Sequence, residues 1–490
     1  MSFLRDWPVY PLAIAAAAML GLFLESAATI EGLARPLLVA VSITLLLQVG
    51  LSAVFRSRQI GAYVTLCIAL LILDWPALGA ILAAIPACVV LAGWFVRRGR
   101  SRFPWPRATE FLNLVGVTLL VLSVAVTWNS GALSATVQPD PATKVGSGPD
   151  IYLILLDGYP RADTLRKDFG LDNSPFLSDM ESQGFEVADS AHSNYNFTAL
   201  TLASTFNVQQ IKNVDGLGDP SPVAATQFRA LSKSINSGRV FDELRTRGYE
   251  IVSVPSPAGI VSLRSADRVY DDGAITEFEM GVLASGITPL LFPGVQRTLV
   301  MNSLRDRIVH EFDTTVEVAK ERTARPKLVF THIMSPHVPI LFGADGSPRE
   351  GWPCFPGCGA FDGGWRFGDE VRAPMAGQVQ HLNDLVLDSV ERIITASPEP
   401  PIIVVFSDHG GRHHLDDRAE MLRSLLLTYT PGRVGLFPED ASAVNLFAYL
   451  LNGYFAANIR MASEEAYFVD VSELQSKGPL RFALQPSSVP

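Results

Sequence analysis

The sequence predicts an α-helical transmembrane bundle of about five spans followed by an α/β domain, and three observations carry that expectation. Of 490 residues, 48% are hydrophobic and 18% charged, with a mean hydropathy of +0.24, which is too apolar for one ordinary soluble domain. The long apolar stretches lie before residue 129, whereas short β-branched runs ending in polar residues lie after residue 150. Charge splits in the same place: residues 1–128 carry 9 Arg, no Lys and 5 acids, leaving 30 Lys and Arg against 44 Asp and Glu beyond. All eight histidines, His192, His310, His332, His337, His381, His409, His413 and His414, fall in the second part. Imidazole chemistry therefore belongs there. The 38 Gly and 33 Pro show no repeat, which excludes collagen-like and solenoid architectures.

Five apolar stretches come first: Val9–Leu24, Leu37–Phe55, Ile60–Leu73, Ala77–Val96 and Phe111–Trp128. Each approaches the ~20 residues a helix needs to cross the hydrocarbon core. The third is the shortest and meets the fourth at Asp74-Trp75-Pro76, where proline suits a tight turn, so a count of four stays open. A buried soluble helical domain would need a polar face on its outer helices, and nearly every segment lacks one. Arg97, Arg98, Arg100, Arg102 and Arg107 cluster between spans four and five, and Arg56 and Arg58 follow span two. Both loops are expected to be cytoplasmic. The loop after span one carries Glu25 and Glu31 against Arg35, as an outside loop can. The first span lacks an A-x-A-like cleavage site and is expected to be retained. An odd number of spans then delivers the rest of the chain across an inner or cell membrane, to the periplasmic or extracellular side.

The expected domain organisation is a transmembrane anchor over 1–128, a linker over 129–149 rich in Gly, Pro, Ser and Thr, and an α/β domain over 150–490. That domain's two cysteines are Cys354 and Cys358. In an oxidising compartment a disulfide closing a small loop is favoured over a free pair. A zinc knuckle would need two further ligands nearby, and the sequence offers none.

Three apolar runs end in residues able to bind metal or phosphate. Ile151–Leu156 runs into Asp157-Gly158, Leu328–Phe330 into Thr331-His332, and Ile402–Phe406 into Ser407-Asp408-His409-Gly410. Such continuous runs read as strands buried on both faces. Helical patterns lie between them, at Ser174–Gln183, Val240–Arg247 and Gly377–Ala396, the last with apolar Val379, Leu382, Leu385, Val386 and Val390. In α/β sheets ligands bind beyond the carboxyl ends of strands. That places Asp157, Asp408 and His409 on one rim, where carboxylate and imidazole suit a divalent metal, Zn or Mn. An aspartate after a strand also serves as a turn residue or helix cap. Thr198, at the start of a helical pattern after a polar segment, is either a cap or a hydroxyl nucleophile at a helix N-terminus.

The segments LLDGY (155–159), SNYNFTALTLAS (193–204), THIMSPHVP (331–339) and FSDHG (406–410), in this order, resemble the alkaline phosphatase superfamily. The chain is similar in plan to the superfamily's membrane-anchored, sulfatase-like branch of lipoteichoic acid synthases and lipid A phosphoethanolamine transferases. Those proteins have five spans, a linker and an outward-facing domain with a threonine nucleophile. The resemblance implies an α/β/α sandwich, Thr198 as nucleophile, and one metal at Asp157, Thr198, Asp408 and His409. It also implies that His337, with His332, meets the substrate phosphate or a second metal. Transferases of this branch usually show Glu at the first ligand; this chain has Asp157, as phosphatases and sulfatases do. The Cys/Ser-x-Pro-x-Arg segment of a true sulfatase is missing around Thr198. His413 and His414, just past His409, either complete a second metal site or lie solvated in a polar loop. Arg412 and Arg161 are weaker candidates as phosphate clamps. His192, His310 and His381 read as surface or core residues.

The expected function is a membrane-anchored, metal-dependent phosphotransferase or phosphodiesterase acting on a phospholipid headgroup or envelope glycan phosphodiester. The alternatives are a hydrolase of other phosphate or sulfate esters on the same fold, and a non-catalytic envelope-binding domain. A transporter would need ionisable residues within spans, and Asp74 sits at a loop. No P-loop or G-x-G-x-x-G follows a strand, and the acidic outer domain speaks against nucleic acid as a partner.

Overall fold

The computed structural model describes residues 6–26, 28, 30–73, 105–130, 146–211, 224–284, 293–349, 371–411, 418–469 and 485–487. The chain forms two compact units, one of Met1–Ala135 with Thr276–Arg297, the other of Thr136–Ile275 with Thr298–Pro490.

The first unit is built on the helices Tyr10–Glu25, Ile30–Val54, Arg58–Leu73 and Trp105–Asn129. Pro11 falls in the first turn of the first helix, where no intrahelical N–H bond is lost. Small residues set the packing: Ala13, Ala15, Ala17 and Ala18 are buried. A Cβ added at Gly116 would lie 3.1 Å from Tyr10 Cα, so glycine lets these two helices touch. One polar side chain closes the first helix. Asn113 Oδ1 accepts the N–H groups of Val9 at 2.8 Å and Tyr10 at 2.9 Å, and its Nδ2 donates to the Trp7 carbonyl at 2.9 Å.

Gly32–Val54, with 23 residues, and Trp105–Asn129, with 25, are long and apolar enough to cross a membrane. The first and third helices have 16 residues each. At 1.5 Å per residue they reach about 24 Å, short of the ~30 Å hydrocarbon core. Among the described residues two helices, not five, therefore meet the length of a span, because hydropathy marks apolar stretches but not where each helix stops. The fourth apolar stretch, Ala77–Val96, and the arginines Arg97 to Arg102 lie outside the described residues. The two long helices face outward: Leu38, Leu46, Val49, Phe111, Leu114, Val121 and Trp128 are exposed. Only 6% and 17% of their most apolar windows are buried, the reverse of a soluble core helix. The helix Glu277–Ala284 belongs to this unit. Phe278 meets Phe23 edge-on at 6.0 Å, and Glu279 pairs with Arg35.

The second unit is an α/β fold. Nine strands are described, seven of them β1 Ile151–Leu156, β2 Glu186–Val187, β3 Glu250–Val254, β4 Arg268–Val269, β5 Lys327–Ile333, β6 Ile402–Phe406 and β7 Leu426–Tyr429, with Ala466–Phe468 and Gln485–Ser487 pairing as a separate antiparallel sheet. The seven form one sheet in the order β2-β7-β6-β1-β5-β3-β4. The strands from β6 to β4 run parallel, and at one edge β7 runs antiparallel to β6 and β2 antiparallel to β7. Every residue of β1, β3, β5 and β6 is buried, as the unbroken apolar runs require. The helices Ser174–Ser182, Arg239–Thr246 and Arg372–Ala396 lie where the periodicity places them. In the last, Val379, Leu382, Val386 and Val390 are buried. Strand β5 continues past Phe330 through His332 to Ile333, pairing with β1 in register, so His332 is a strand residue rather than the loop residue its polarity suggests. The helix Thr198–Asn207 is buried from Thr198 to Phe206. Phe206 anchors it to the sheet, with ring centroids 5.2 Å from Phe330 and 4.8 Å from Phe241.

Candidate active site

Because β6, β1, β5 and β3 are parallel neighbours, their carboxyl ends share one edge, and Asp408, Asp157, His332 and Ser256 meet there. Asp157 follows β1, its N–H bonded to the Ile333 carbonyl at 3.0 Å and its C=O accepting the His337 N–H at 3.0 Å. Asp408 follows β6 and is fully buried, with His409 1% exposed. Ligand atoms of Asp157, Asp408 and His409 all lie within 4.8 Å of one another. His409 Nε2 is 3.6 Å from Asp157 Oδ1 and 3.3 Å from Asp408 Oδ2.

Glycine makes this convergence possible. Gly158 has φ +71°, donates its N–H to Asp408 Oδ1 at 3.0 Å, and a Cβ there would sit 3.2 Å from His409 Cε1. Gly410 is pressed against the Glu420 carbonyl oxygen, 2.4 Å from where its Cβ would be. Gly158→Ala should therefore cost about 1–2 kcal/mol for the left-handed backbone and displace His409. Melting temperature and zinc affinity measured together check this; a variant unchanged in both would contradict the assigned role.

The donor set fits a divalent cation. Asp157 Oδ1 and Asp408 Oδ2 are buried with no hydrogen-bond partner. His409 Nδ1 donates to the Gly410 carbonyl at 2.7 Å, which leaves Nε2 as the ring atom that faces both carboxylates. The two buried carboxylates facing one another repel unless positive charge lies between them. Tetrahedral bonds of about 2 Å set donors about 3.3 Å apart, close to the 3.3 and 3.6 Å from His409 Nε2 to the two carboxylates. Electrostatics agree. Burial acts to raise the Asp157 pKa, yet His337, His332 and His409 hold it well below the usual carboxylate range. Burial and the neighbouring Asp157 push Asp408 up to about 6, against the lowering effects of the Thr198 hydroxyl, the Gly158 N–H and His332.

Thr198 opens its helix, and the cap position is taken by Phe197 in extended conformation, so the hydroxyl faces Asp408 instead of closing the helix end. The polar run before it is structural. Asn194 accepts the Val444 N–H at 3.0 Å, and Asn196 brackets Val469, accepting its N–H at 2.8 Å and donating to its carbonyl at 2.9 Å. The sequence offered no reason to single out Thr201 or Ser407. Thr201 Oγ1 donates to the Asp408 carbonyl at 2.9 Å. Ser407 Oγ accepts the Tyr159 N–H at 2.8 Å and donates to the His409 carbonyl at 2.7 Å. Short hydroxyl side chains inside a motif carry no mark in the sequence of which backbone groups they hold.

His337 reaches the rim half-buried, its Nδ1 donating to the Val338 carbonyl at 2.8 Å. His332 is turned inward, with both ring nitrogens engaged by Asp157 and Ser256. Arg161 forks onto Asp163 at 2.9 and 2.8 Å, which commits it to a carboxylate rather than to phosphate. His192 is a core residue, His310 is exposed and His381 is half-buried. Arg412, His413, His414, Cys354 and Cys358 lie outside the described residues.

No family model and no curated protein matches the chain in sequence. Its solved neighbours include phosphoethanolamine transferases and sulfatases. The C-terminal periplasmic domain of EcEptC from Escherichia coli, in complex with Zn, is 16% identical with a TM-score of 0.41, over 65% of this chain and 86% of that one. Lipooligosaccharide phosphoethanolamine transferase A from Neisseria meningitidis, an integral membrane protein, is 12% identical with a TM-score of 0.39, over 82% of this chain and 69% of that one. A 2-O glycosaminoglycan sulfatase, BT1596, is 12% identical with a TM-score of 0.38, over 65% and 73%. Likeness at this level assigns no activity, and the functional reading rests on the site itself.

Proposed function

We propose that the chain is a membrane-anchored, metal-dependent phosphotransferase or phosphodiesterase of the alkaline phosphatase kind, with Thr198 as nucleophile. Residues 1–128 are its anchor and 129–149 its linker, and 150–490, apart from the Thr276–Arg297 stretch that belongs to the helical unit, are its catalytic domain, held on the outer side of an inner or cell membrane. The observation that carries the reading is the meeting of two buried carboxylate oxygens that lack hydrogen-bond partners with the His409 imidazole, beside a threonine at the first position of a helix. A zinc or manganese ion at Asp157, Asp408 and His409, with Thr198, would lower the hydroxyl pKa and offset charge on the nonbridging phosphoryl oxygens. Thr198 Oγ1 attacks phosphorus, the bond to the headgroup or lipid alcohol breaks, and the hydroxyl proton ends on the departing alcohol. His337, at the rim, orients the phosphate. A second hydroxyl then takes the phosphoryl group from Thr198: a sugar or lipid acceptor makes the enzyme a transferase, and water makes it a hydrolase. The lipid-facing helices of the same chain favour substrates that reside in the membrane surface.

Metal analysis of the purified full-length protein, then intact mass after exposure to phosphatidylethanolamine or phosphatidylglycerol vesicles, tests this directly. One divalent ion per chain and a phosphoryl-containing adduct on Thr198 are expected. A protein with neither ion nor adduct would refute the reading. A topology reporter fused after Asp150 should be active only outside the cytoplasm, and one at Gly99 only inside; the reverse pattern would remove the outward-facing site.

A further inference from the structure

We infer that Ser256 and His332 form a relay behind Asp157 that aims its Oδ1 at Asp408 and His409, making Ser256 a positioning residue of the candidate metal centre. The inference rests on the proposed function and deepens it. Ser256 lies two residues past β3 and is 2% exposed. Its segment is held from behind, where Arg307 Nη2 donates to the Pro255 carbonyl at 2.7 Å. Ser256 Oγ accepts the Ala258 N–H at 3.3 Å and lies 2.9 Å from His332 Nδ1; because the Asp157 carboxylate only accepts, a neutral His332 donates through Nε2 and takes the Ser256 hydrogen at Nδ1. With Nδ1 accepting, the ring proton sits on Nε2, 3.0 Å from Asp157 Oδ2. One oxygen of Asp157 is thus saturated, and the other, Oδ1, is the one lacking a hydrogen-bond partner and facing His409. Without the Ser256 hydroxyl, His332 is able to adopt the other tautomer, which turns a lone pair toward a carboxylate and frees Asp157 to rotate. A ligand's aim depends on such a partner behind it. In this arrangement His332 binds neither substrate nor a second metal.

The test is zinc affinity of the full-length protein in detergent, measured by competition with a fluorescent chelator, beside the melting temperature of the metal-free form. Ser256→Ala should weaken zinc binding roughly tenfold with little change in melting temperature, and Ser256→Thr should restore most of it. His332→Gln, which keeps an N–H donor for Asp157, should lose less affinity than His332→Phe. On the His332→Gln background Ser256→Ala should do nothing further, because no tautomer remains to be fixed. If wild type binds zinc and Asp408→Ala does not, while Ser256→Ala equals wild type, the relay is overturned and the metal centre stands. A Ser256→Ala loss that persists undiminished on the His332→Gln background also overturns it. A wild-type protein that binds no zinc or manganese removes the relay and the metal centre together.

Discussion

Thr198→Ala should lower phosphodiester turnover by at least about a thousandfold, the scale on which loss of an attacking side chain is felt, while the protein stays folded. Stability should change by less than the ~1 kcal/mol of a lost helix cap, because Phe197 holds the cap position and alanine is the best helix former for the first turn. Thr198→Ser keeps a hydroxyl at the same place and should retain a measurable fraction of turnover. Phosphate binding should survive in the alanine variant, since Asp157, Asp408, His409 and His337 remain. Turnover and melting temperature measured side by side on the three proteins separate the possibilities. If the alanine variant turns over near the wild-type rate, Thr198 is not the nucleophile. The covalent mechanism then fails and an activated water takes its place. A large fall in melting temperature with proportionate loss of activity would make Thr198 structural.

What could be read from the sequence follows from how each element is stabilised. Strands β1 and β6 match the apolar runs because they are buried on both faces, so each position demands an apolar residue. The two-residue strands β2 and β4, Glu186–Val187 and Arg268–Val269, are half-buried edge pieces set by pairing, and no periodicity exists at that length. Asp157, Asp408 and His409 were legible because parallel topology puts strand ends on one rim. Ser256 was not, since it meets His332 across 76 residues of chain through a single hydroxyl. The helix Glu277–Ala284 carries nothing in its composition to show that Phe278 packs with Phe23 and Leu33 of the helical unit. Span count suffers from the same limit: Tyr10–Glu25 is as apolar as a span but ends after 16 residues.

Asp408→Asn should abolish metal binding and yet stabilise the metal-free protein at neutral pH. Burial and the Asp157 carboxylate raise Asp408 from its ordinary 3.8 to about 6, so the folded state resists ionising it. The sign follows from linkage. Between about pH 4 and pH 6 the unfolded chain has released this proton while the folded chain still holds it, so stability falls as pH rises through that window. The depressed Asp157 contributes in the opposite sense, its stabilisation being present above the ordinary carboxylate value and lost at lower pH. A rise from 3.8 to about 6 is worth roughly 1–3 kcal/mol at neutral pH. Asparagine keeps an oxygen for the Gly158 N–H, removes the charge, and offers an amide hydrogen on the side of the unpartnered Asp157 Oδ1. In excess chelator, then, the melting temperature of Asp408→Asn should exceed that of wild type at pH 8, and the gap should close by pH 4. Added zinc should raise the wild-type melting temperature and leave the variant unmoved. An Asp408→Asn protein that melts below metal-free wild type at pH 8 would mean that the two carboxylates are not in conflict, and that the case for a cation between them fails.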